Sequence, residues 1–288
     1  MLPSSKSRTM PGYDNATPFA ANSRDSATVP RVAGIYDTLL GGKDCSAIDQ
    51  QAAGELLRLV PDAVMAAYQH RRFVQLATRF LARDAGIRQF VDIGISLDRL
   101  GGMYDIVQQA TPDARVLYID SDPAVVSRAQ DRLTDNLHTL AIRHDLRDPD
   151  GLVNHPAFQE LIDPAEQVAI LLAGVLHFVG NDGDAARSVS VLTRAAAAGS
   201  YLALSHATAD DLDPEVSQRV RGLYENSTAP FTPRSYADVV RFFKDLDILP
   251  PGVVAGPTWR AGWFAPDPRR TLFYAGLAQK RRGRGEFG

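Results

Sequence analysis

The chain has 288 residues, of which 45% are hydrophobic and 23% charged, and its formal net charge is −3. This charge argues against broad electrostatic binding to nucleic acid or to an anionic membrane. The longest near-continuous apolar run, residues 168–179, is shorter than the roughly 20 residues that a membrane-spanning helix needs. The amino terminus lacks the charged-then-apolar order of a signal peptide, and the lone Cys45 excludes a disulfide framework. These properties predict a cytoplasmic enzyme or binding protein.

The chain divides into four predicted parts. Residues 1–28 are rich in Ser, Pro, Asn, Ala and Gly without periodicity, which predicts a disordered leader. Residues 29–86 include apolar side chains at helical spacing and predict a helical cap. Residues 87–280 alternate strand-like and helix-like runs and predict an α/β domain. Residues 281–288 form a basic tail, more typical of a solvated terminus than of a nucleic-acid contact.

Five strand-like runs follow one another in the α/β domain, with helical patterns between them. The fourth is apolar throughout, as expected of a central strand of a parallel sheet. The runs are residues 91–93, 116–120, 140–142, part of 167–179, and 201–205. Together they predict a mostly parallel sheet with helices on its faces.

The carboxyl-terminal part breaks this alternation. Two strand-like runs, Trp259 to Ala265 and Thr271 to Ala278, are separated by the turn-rich residues 266–269. They predict a terminal hairpin, whereas an ordinary dinucleotide-binding domain ends with a further parallel strand.

The end of the first strand has the character of a cofactor-binding loop. Asp92, Ile93 and Gly94 close an apolar run before a helical pattern, which is how nucleotide-type cofactor sites begin in open α/β sheets. Ser96 stands where a Gly-x-Gly motif has its second glycine. A non-glycine residue forced into a strained position costs of order 1–3 kcal/mol, so Ser96 is expected to weaken cofactor binding unless its hydroxyl compensates.

Acidic residues end the next two strands. Asp120 lies 26 positions after Gly94, where a carboxylate can accept hydrogen bonds from both ribose hydroxyls of NAD or of S-adenosylmethionine. Asp145 follows the third strand, and it can also serve simply to cap the next helix.

Several segments carry a family resemblance. The string Tyr-Asp-Thr-Leu-Leu-Gly-Gly-Lys-Asp occupies residues 36–44, and similar matches occur at residues 71–73, 87–94 and 174–178. From about residue 31 to residue 280, the chain resembles an actinobacterial family of S-adenosylmethionine-dependent methyltransferases once catalogued as a domain of unknown function. The family usually continues Asp-Ile-Gly with Ser or Thr and then Gly-Leu-Pro-Thr, whereas this chain has Ile-Ser-Leu-Asp-Arg at residues 95–99.

The resemblance implies a fold, a cofactor and an activity. The fold is the Rossmann-like class I methyltransferase fold, with a mostly parallel seven-stranded sheet, an antiparallel carboxyl-terminal hairpin and an amino-terminal helical extension. The cofactor is S-adenosylmethionine, and the expected reaction is methyl transfer to an unidentified small molecule.

It also implies site residues. The turn at Gly41 and Gly42 is expected to fold over the cofactor, so that Lys43 or Asp44 reaches its methionine end. Arg71 is a candidate partner of the cofactor carboxylate, with His70 beside it, and Asp145 is a candidate contact of the adenine amino group. A structural turn, a surface salt bridge and a helix cap are the respective alternatives.

Histidine chemistry supplies the candidate catalytic group. His177 follows the fourth strand, at the edge where ligands bind in open α/β sheets, and a neutral imidazole there can act as a general base. A hydrogen-bonded structural histidine is the alternative. Tyr36, His206 and Tyr224 are further candidates for an acceptor pocket. The spacing of the histidines and the single cysteine predicts no metal site.

Two other functions compete with methyl transfer. The altered loop at residues 95–99 motivates a protein with weakened or lost cofactor binding, acting as a binding or regulatory protein or catalysing another reaction on the same fold. An NAD-dependent oxidoreductase is disfavoured, because Gly94, Ser96 and Arg99 occupy the positions of Gly-x-Gly-x-x-Gly. The oligomeric state is not predicted.

Overall fold

A mixed sheet runs through the computed structural model, which describes residues 28–95, 102–133, 138–260 and 270–281. Within these ranges the sheet has eight strands. They are β1 (Gln89–Ile93), β2 (Arg115–Asp120), β3 (Thr139–Arg143), β4 (Ala169–Ala173), β5 (Tyr201–Ala207), β6 (Leu246–Ile248), β7 (Val254–Ala255) and β8 (Phe273–Lys280). Seven lie in the order β3-β2-β1-β4-β5-β8-β6, and β7 also pairs with β8. Strands β1 to β5 are parallel, whereas β8 is antiparallel to β5, β6 and β7.

Ten α-helices surround the sheet in the described ranges. They are α1 (Val32–Leu39), α2 (Ala47–Leu59), α3 (Ala63–Arg79), α4 (Met103–Ala110), α5 (Pro123–Leu133), α6 (Pro149–Val153), α7 (Pro156–Leu161), α8 (Asp182–Ala195), α9 (Pro214–Glu225) and α10 (Tyr236–Arg241). In that part of the chain, no helix is both long enough and apolar enough to cross a membrane.

Helices cover both faces of the sheet, and this explains why the parallel strands read as apolar runs. Successive side chains of a strand point to opposite faces. Val91 packs in a core with α6, α7 and α8, whereas its neighbour Phe90 packs in a second core with α3, α4 and α5. Both faces of β1 are therefore buried, as in parallel sheets generally.

The predicted amino-terminal helical cap is present as α1, α2 and α3, and α9 packs with it in a third core. Asp49 is fully buried at the start of α2. Its carboxylate accepts bonds from the Ser46 amide at 2.8 Å, from the Arg31 amide at 2.7 Å and from the Arg31 guanidinium at 2.9 Å. These bonds satisfy the buried charge and fix the entry into the cap.

The predicted fold is confirmed, with two corrections: the sheet has eight strands in the described ranges rather than seven, and one strand of the terminal hairpin lies elsewhere in the chain. The sheet neighbour of β8 beyond β5 is Leu246–Ile248, not Trp259 to Ala265. Trp259 and Arg260 lie in a turn, and residues 261–265 are outside the described ranges. The Trp259 ring is 1% exposed and packs edge-on against Phe73 with ring centroids 5.0 Å apart. Its aromatic character reflects packing on α3 rather than strand pairing.

Candidate active site

The crevice of the sheet lies between β1 and β4. The connection from β1 leads to β2 and β3 on one side, and that from β4 leads to β5 on the other. Ligands of open α/β sheets bind at the carboxyl ends of the strands at such a switch point. Gly94 follows β1 with a φ of 88°, and Gly174 follows β4 with a φ of 72°. A Cβ added to Gly94 would lie 3.1 Å from the Val175 Cβ, so the two loops touch.

Replacing Gly94 with alanine is expected to destabilise the protein by about 1–3 kcal/mol, because its backbone is left-handed and Val175 leaves little room for a methyl group. The melting temperature should fall by roughly 3–10 °C in thermal unfolding. The matched control is Gly222→Ala in α9, where an added Cβ meets no atom within 4 Å. That variant should be as stable as the wild type or slightly more stable. Equal effects at the two positions would refute the argument for Gly94.

Asp120 ties the loop after β1 to the end of β2. Its Oδ2 accepts a hydrogen bond from the Ile95 amide at 2.9 Å, and its Oδ1 accepts one from the Asp122 amide at 2.8 Å. Burial raises the pKa of Asp120 to about 6, even though these amide bonds favour the charged form. The carboxylate is thus held in place, and its further lone pairs can accept bonds from a ligand.

Asp92 is a second buried carboxylate beside Asp120. Its side chain lies on β1, and the residue is 8% exposed. Burial raises the pKa of Asp92 to about 7, and the negative charge of Asp120 adds to this effect. Two neighbouring carboxylates that ionise with difficulty favour a ligand bringing hydroxyl donors or positive charge. Ribose hydroxyls and a sulfonium provide both.

His70 stands on the other side of the crevice. Its Nδ1 lies 2.8 Å from the Tyr36 hydroxyl, and its Nε2 lies 2.8 Å from Ser205 Oγ. The ring is so close to β4 that a Cβ on Gly174 would be 3.0 Å from both Cε1 and Nε2. Burial lowers the pKa of His70 to about 4, so the imidazole is neutral.

His177 lies in the 3₁₀ turn Leu176–Phe178 after β4, with its ring 4.3 Å from Phe178 and 5.4 Å from Phe231 between centroids. Burial holds the pKa of His177 well below its usual range, and His206, His70 and Arg234 add to this effect. Its Nδ1 accepts from the Ala207 amide at 3.4 Å. That bond favours the tautomer with hydrogen on Nε2, and the role of His177 as a general base stays a prediction.

Arg234 holds this turn in place and was missed by the sequence reasoning. It is 5% exposed. Its guanidinium donates to the carbonyls of Leu176 at 3.0 Å and Val179 at 2.9 Å, and to His206 Nε2 at 3.0 Å. Nothing in the sequence around Arg234 marks it, because all of these partners are distant along the chain.

A family model described as S-adenosyl methyltransferase matches residues 20–281. The chain belongs to this family.

Two solved structures of similar proteins support this assignment. A protein from Thermobifida fusca YX, described as a candidate methyltransferase, is 32% identical, with 88% of this chain and 96% of that chain covered and a TM-score of 0.81. A DUF574-family protein from Streptomyces avermitilis is 30% identical, with 88% of this chain and 99% of that chain covered and a TM-score of 0.82. No curated protein is a detectable relative. The family confirms the predicted cofactor, S-adenosylmethionine.

Within the methyltransferase fold, residues 36–39 end α1, and residues 40–44 form a turn that docks on α5 through Asp44. The Asp44 carbonyl accepts from Arg31 at 3.2 Å and from Arg128 at 2.9 Å, and its carboxylate pairs with Arg132 at 3.1 Å. An added Cβ at Gly42 would collide with the carboxylate of Asp37, which accounts for that glycine. The structural alternative for this turn is therefore realised, and a contact of Asp44 with the cofactor stays a prediction.

The other predicted cofactor residues are distributed more widely. Lys43 is exposed beside this turn, and Arg71 is half-buried on α3 next to His70. Asp145 forms a two-pronged ion pair with Arg147, whose Nε lies 2.9 Å and 3.0 Å from the carboxylate oxygens. Burial alone would raise the pKa of Asp145, but the bonds from Arg147 outweigh it and leave the pKa lowered. Ser96 lies outside the described ranges.

Proposed function

We propose that the protein transfers the methyl group of S-adenosylmethionine to a small-molecule acceptor, with the cofactor bound over the carboxyl ends of β1 and β4. The observation that carries this proposal is the carboxylate pair formed by the buried Asp92 and the half-buried Asp120 beside the Gly94 turn. A carboxylate pair of raised pKa fits a ligand that combines ribose hydroxyls with a positive sulfonium.

Asp120 would accept hydrogen bonds from the ribose hydroxyls, and Asp92 and Gly94 would line the neighbouring part of the cofactor. Lys43, Asp44, Arg71 and Ser96 remain candidates for its methionine end, and Asp145 for its adenine. When bound, the cofactor supplies a methyl group activated by the positive sulfur.

The protein's own contribution is mainly orientation. Methyl transfer requires the acceptor atom to lie in line with the methyl carbon and the sulfur, and correct positioning can account for several kcal/mol of the barrier. His177, with its Nε2 hydrogen, would donate to one lone pair of an acceptor oxygen and leave the other lone pair to attack the methyl carbon. The net charge of −3 favours a small acceptor over nucleic acid.

Cofactor affinity is expected to fall in acid. Asp92 and Asp120 have pKa values raised to about 7 and about 6, so both hold protons at pH 5.5. Binding to the charged forms must expel these protons, and the affinity for S-adenosylhomocysteine should rise between pH 5.5 and pH 8, by up to about tenfold per pH unit for each proton released. Calorimetry in buffers of different ionisation enthalpy counts the protons.

The control for this pH dependence is Asp92→Asn, which should remove the part of the slope near pH 7.

The stability of the ligand-free fold depends on pH in the opposite direction to the ligand affinity. Because the folded protein raises the pKa of Asp92, that residue stabilises the ligand-free fold most below about pH 4, and its contribution is lost as the pH rises through about 7. An affinity independent of pH in the wild type would count against the carboxylates as the cofactor site.

Calorimetric titration with S-adenosylhomocysteine tests the proposed function. The expected result is saturable binding of one molecule per chain in roughly the micromolar range. NAD, which also carries ribose hydroxyls, should not displace it. The absence of binding at millimolar S-adenosylhomocysteine would overturn the proposal.

A further inference from the structure

Three side chains from different elements form a hydrogen-bonded line beside the crevice. Tyr36 of α1 bonds His70 Nδ1 at 2.8 Å, and His70 Nε2 bonds Ser205 Oγ on β5 at 2.8 Å. Ser205 is fully buried, whereas Tyr36 and His70 keep accessible surface. The line thus has a closed end in the sheet and an open end in the helical cap.

His70, in the middle of the line, lies at the crevice. The His70 ring is close enough to Gly174 that only a glycine fits there, and the same point is 3.8 Å from the His177 ring. The Gly174 amide donates to the Ser205 carbonyl at 3.1 Å, which fixes the end of β4 against β5. Phe273 of β8 packs edge-on against His70, with centroids 5.5 Å apart. His70 is therefore held rigidly at the switch point.

Methyl transfer to an O–H or N–H group requires a proton acceptor. The methylated atom must lose its hydrogen as the cofactor loses its positive charge. His177 Nδ1 already accepts from the Ala207 amide, and His206 Nε2 already accepts from Arg234. Neither imidazole is suited to accept this proton.

We propose that Tyr36 accepts the proton of the methyl acceptor and passes its own proton to His70. This inference rests on the proposed function. As the acceptor atom bonds the methyl carbon, the carbon–sulfur bond breaks and its electron pair stays on sulfur. The acceptor's proton moves to Tyr36 Oη, the Tyr36 proton moves to His70 Nδ1, and the imidazole becomes imidazolium.

The proton arrangement before reaction follows from acidity. The Tyr36 hydroxyl lies 2.8 Å from His70 Nδ1 and 3.4 Å from the Ala67 carbonyl, so Nδ1 is the closer acceptor. A phenol is a stronger acid than a serine hydroxyl, so Tyr36 donates to Nδ1 and the Nε2 hydrogen is donated to Ser205. Ser205 acts as a positioning residue that keeps Nδ1 facing Tyr36. In the described part of the chain, the titratable groups facing His70 are Tyr36 from α1 and His177 from the turn after β4.

Charge balance explains how His70, which is hard to protonate, can accept the proton from Tyr36 during methyl transfer. Burial lowers the pKa of His70 to about 4, and the positive cofactor adds to the cost of an imidazolium. Methyl transfer removes that positive charge. The imidazolium of His70 then replaces the positive sulfur, so the number of positive charges at the crevice stays the same.

The test compares the titration of His70 in two complexes. The ring nitrogens of ¹⁵N-histidine-labelled protein are followed by NMR with S-adenosylhomocysteine, whose sulfur is neutral, and with an analogue that carries an ammonium group in place of the sulfonium. The midpoint of His70 protonation should be higher in the first complex by about one pH unit or more. Midpoints that agree within about 0.3 pH units would overturn the relay.

Tyr36→Phe provides the matched perturbation, and Tyr68→Phe, on the exposed side of α3, is its control. Tyr36→Phe should shift both His70 ring nitrogen signals, because it removes the hydrogen bond to Nδ1. Tyr68→Phe should change neither. Unchanged His70 signals in Tyr36→Phe overturn the relay alone, whereas a wild type that fails to bind S-adenosylhomocysteine overturns the proposed function together with the relay.

Discussion

Asp120→Asn is expected to weaken the binding of S-adenosylhomocysteine by roughly a hundredfold, the largest effect of a single site substitution in this protein. The substitution keeps the shape of the side chain. It removes the negative charge and replaces one acceptor oxygen with an amide donor. The two wild-type oxygens accept from the Ile95 and Asp122 amides, and the ribose is expected to use their remaining lone pairs. Hydrogen bonds to charged groups contribute about 1.5–3 kcal/mol, and the ribose would lose such a bond. Isothermal titration calorimetry at pH 8 measures the change.

Asp122→Asn is the matched control, two positions along the same loop. Asp122 Oδ1 accepts from the Ala124 amide at 2.8 Å, at the start of α5. Asparagine caps helices as well as aspartate does, so the affinity should change by less than about threefold. A similar loss in both variants would show that general damage to the loop, rather than loss of a ribose contact, explains the result at Asp120.

Arg234→Met is expected to lower the free energy of unfolding by about 2–4 kcal/mol. Methionine retains the apolar stem but leaves the Val179 carbonyl and His206 Nε2 without their donor, whereas the Leu176 carbonyl keeps its bond from the Val179 amide. Each unsatisfied buried group costs about 1–3 kcal/mol. The melting temperature should fall by roughly 5–15 °C, and the pKa of His206, now about 4 chiefly because of burial, should rise because the positive charge beside it is gone.

Arg241→Met tests whether the effect is specific to burial. Arg241 pairs with Asp238 on the surface of α10, and its side chain is 76% exposed. Exposed ion pairs contribute about 0–1 kcal/mol, so the melting temperature should change by only about 1–3 °C. If Arg234→Met were equally mild, the view that Arg234 organises the turn carrying His177 would be wrong.

The elements that sequence reasoning located correctly are those whose physics is local. β1 is buried at every position and β4 is apolar at every position, because helices cover both faces of the sheet. Gly94 could be identified because the strand ends in a left-handed turn that favours glycine. Asp120 follows from its place at the end of a strand beside the crevice.

The strand and the contacts that sequence reasoning missed depend on distant parts of the chain. β6 has only three residues and no pattern long enough to show a period. Ser205 and His70 are 135 positions apart, and Arg234 reaches back 58 positions to Leu176. Such partners become evident only when the fold brings them together. The same holds for Asp44, whose ion pair with Arg132 spans 88 positions.

The crystal structure of the complex with S-adenosylhomocysteine tests the central claim most directly. The ligand is expected over the carboxyl ends of β1 and β4, with its ribose hydroxyls within about 2.6–3.2 Å of the Asp120 carboxylate and its sulfur on the side of the crevice toward Gly174. A ligand bound elsewhere, or one whose ribose makes no contact with Asp120, would contradict the account.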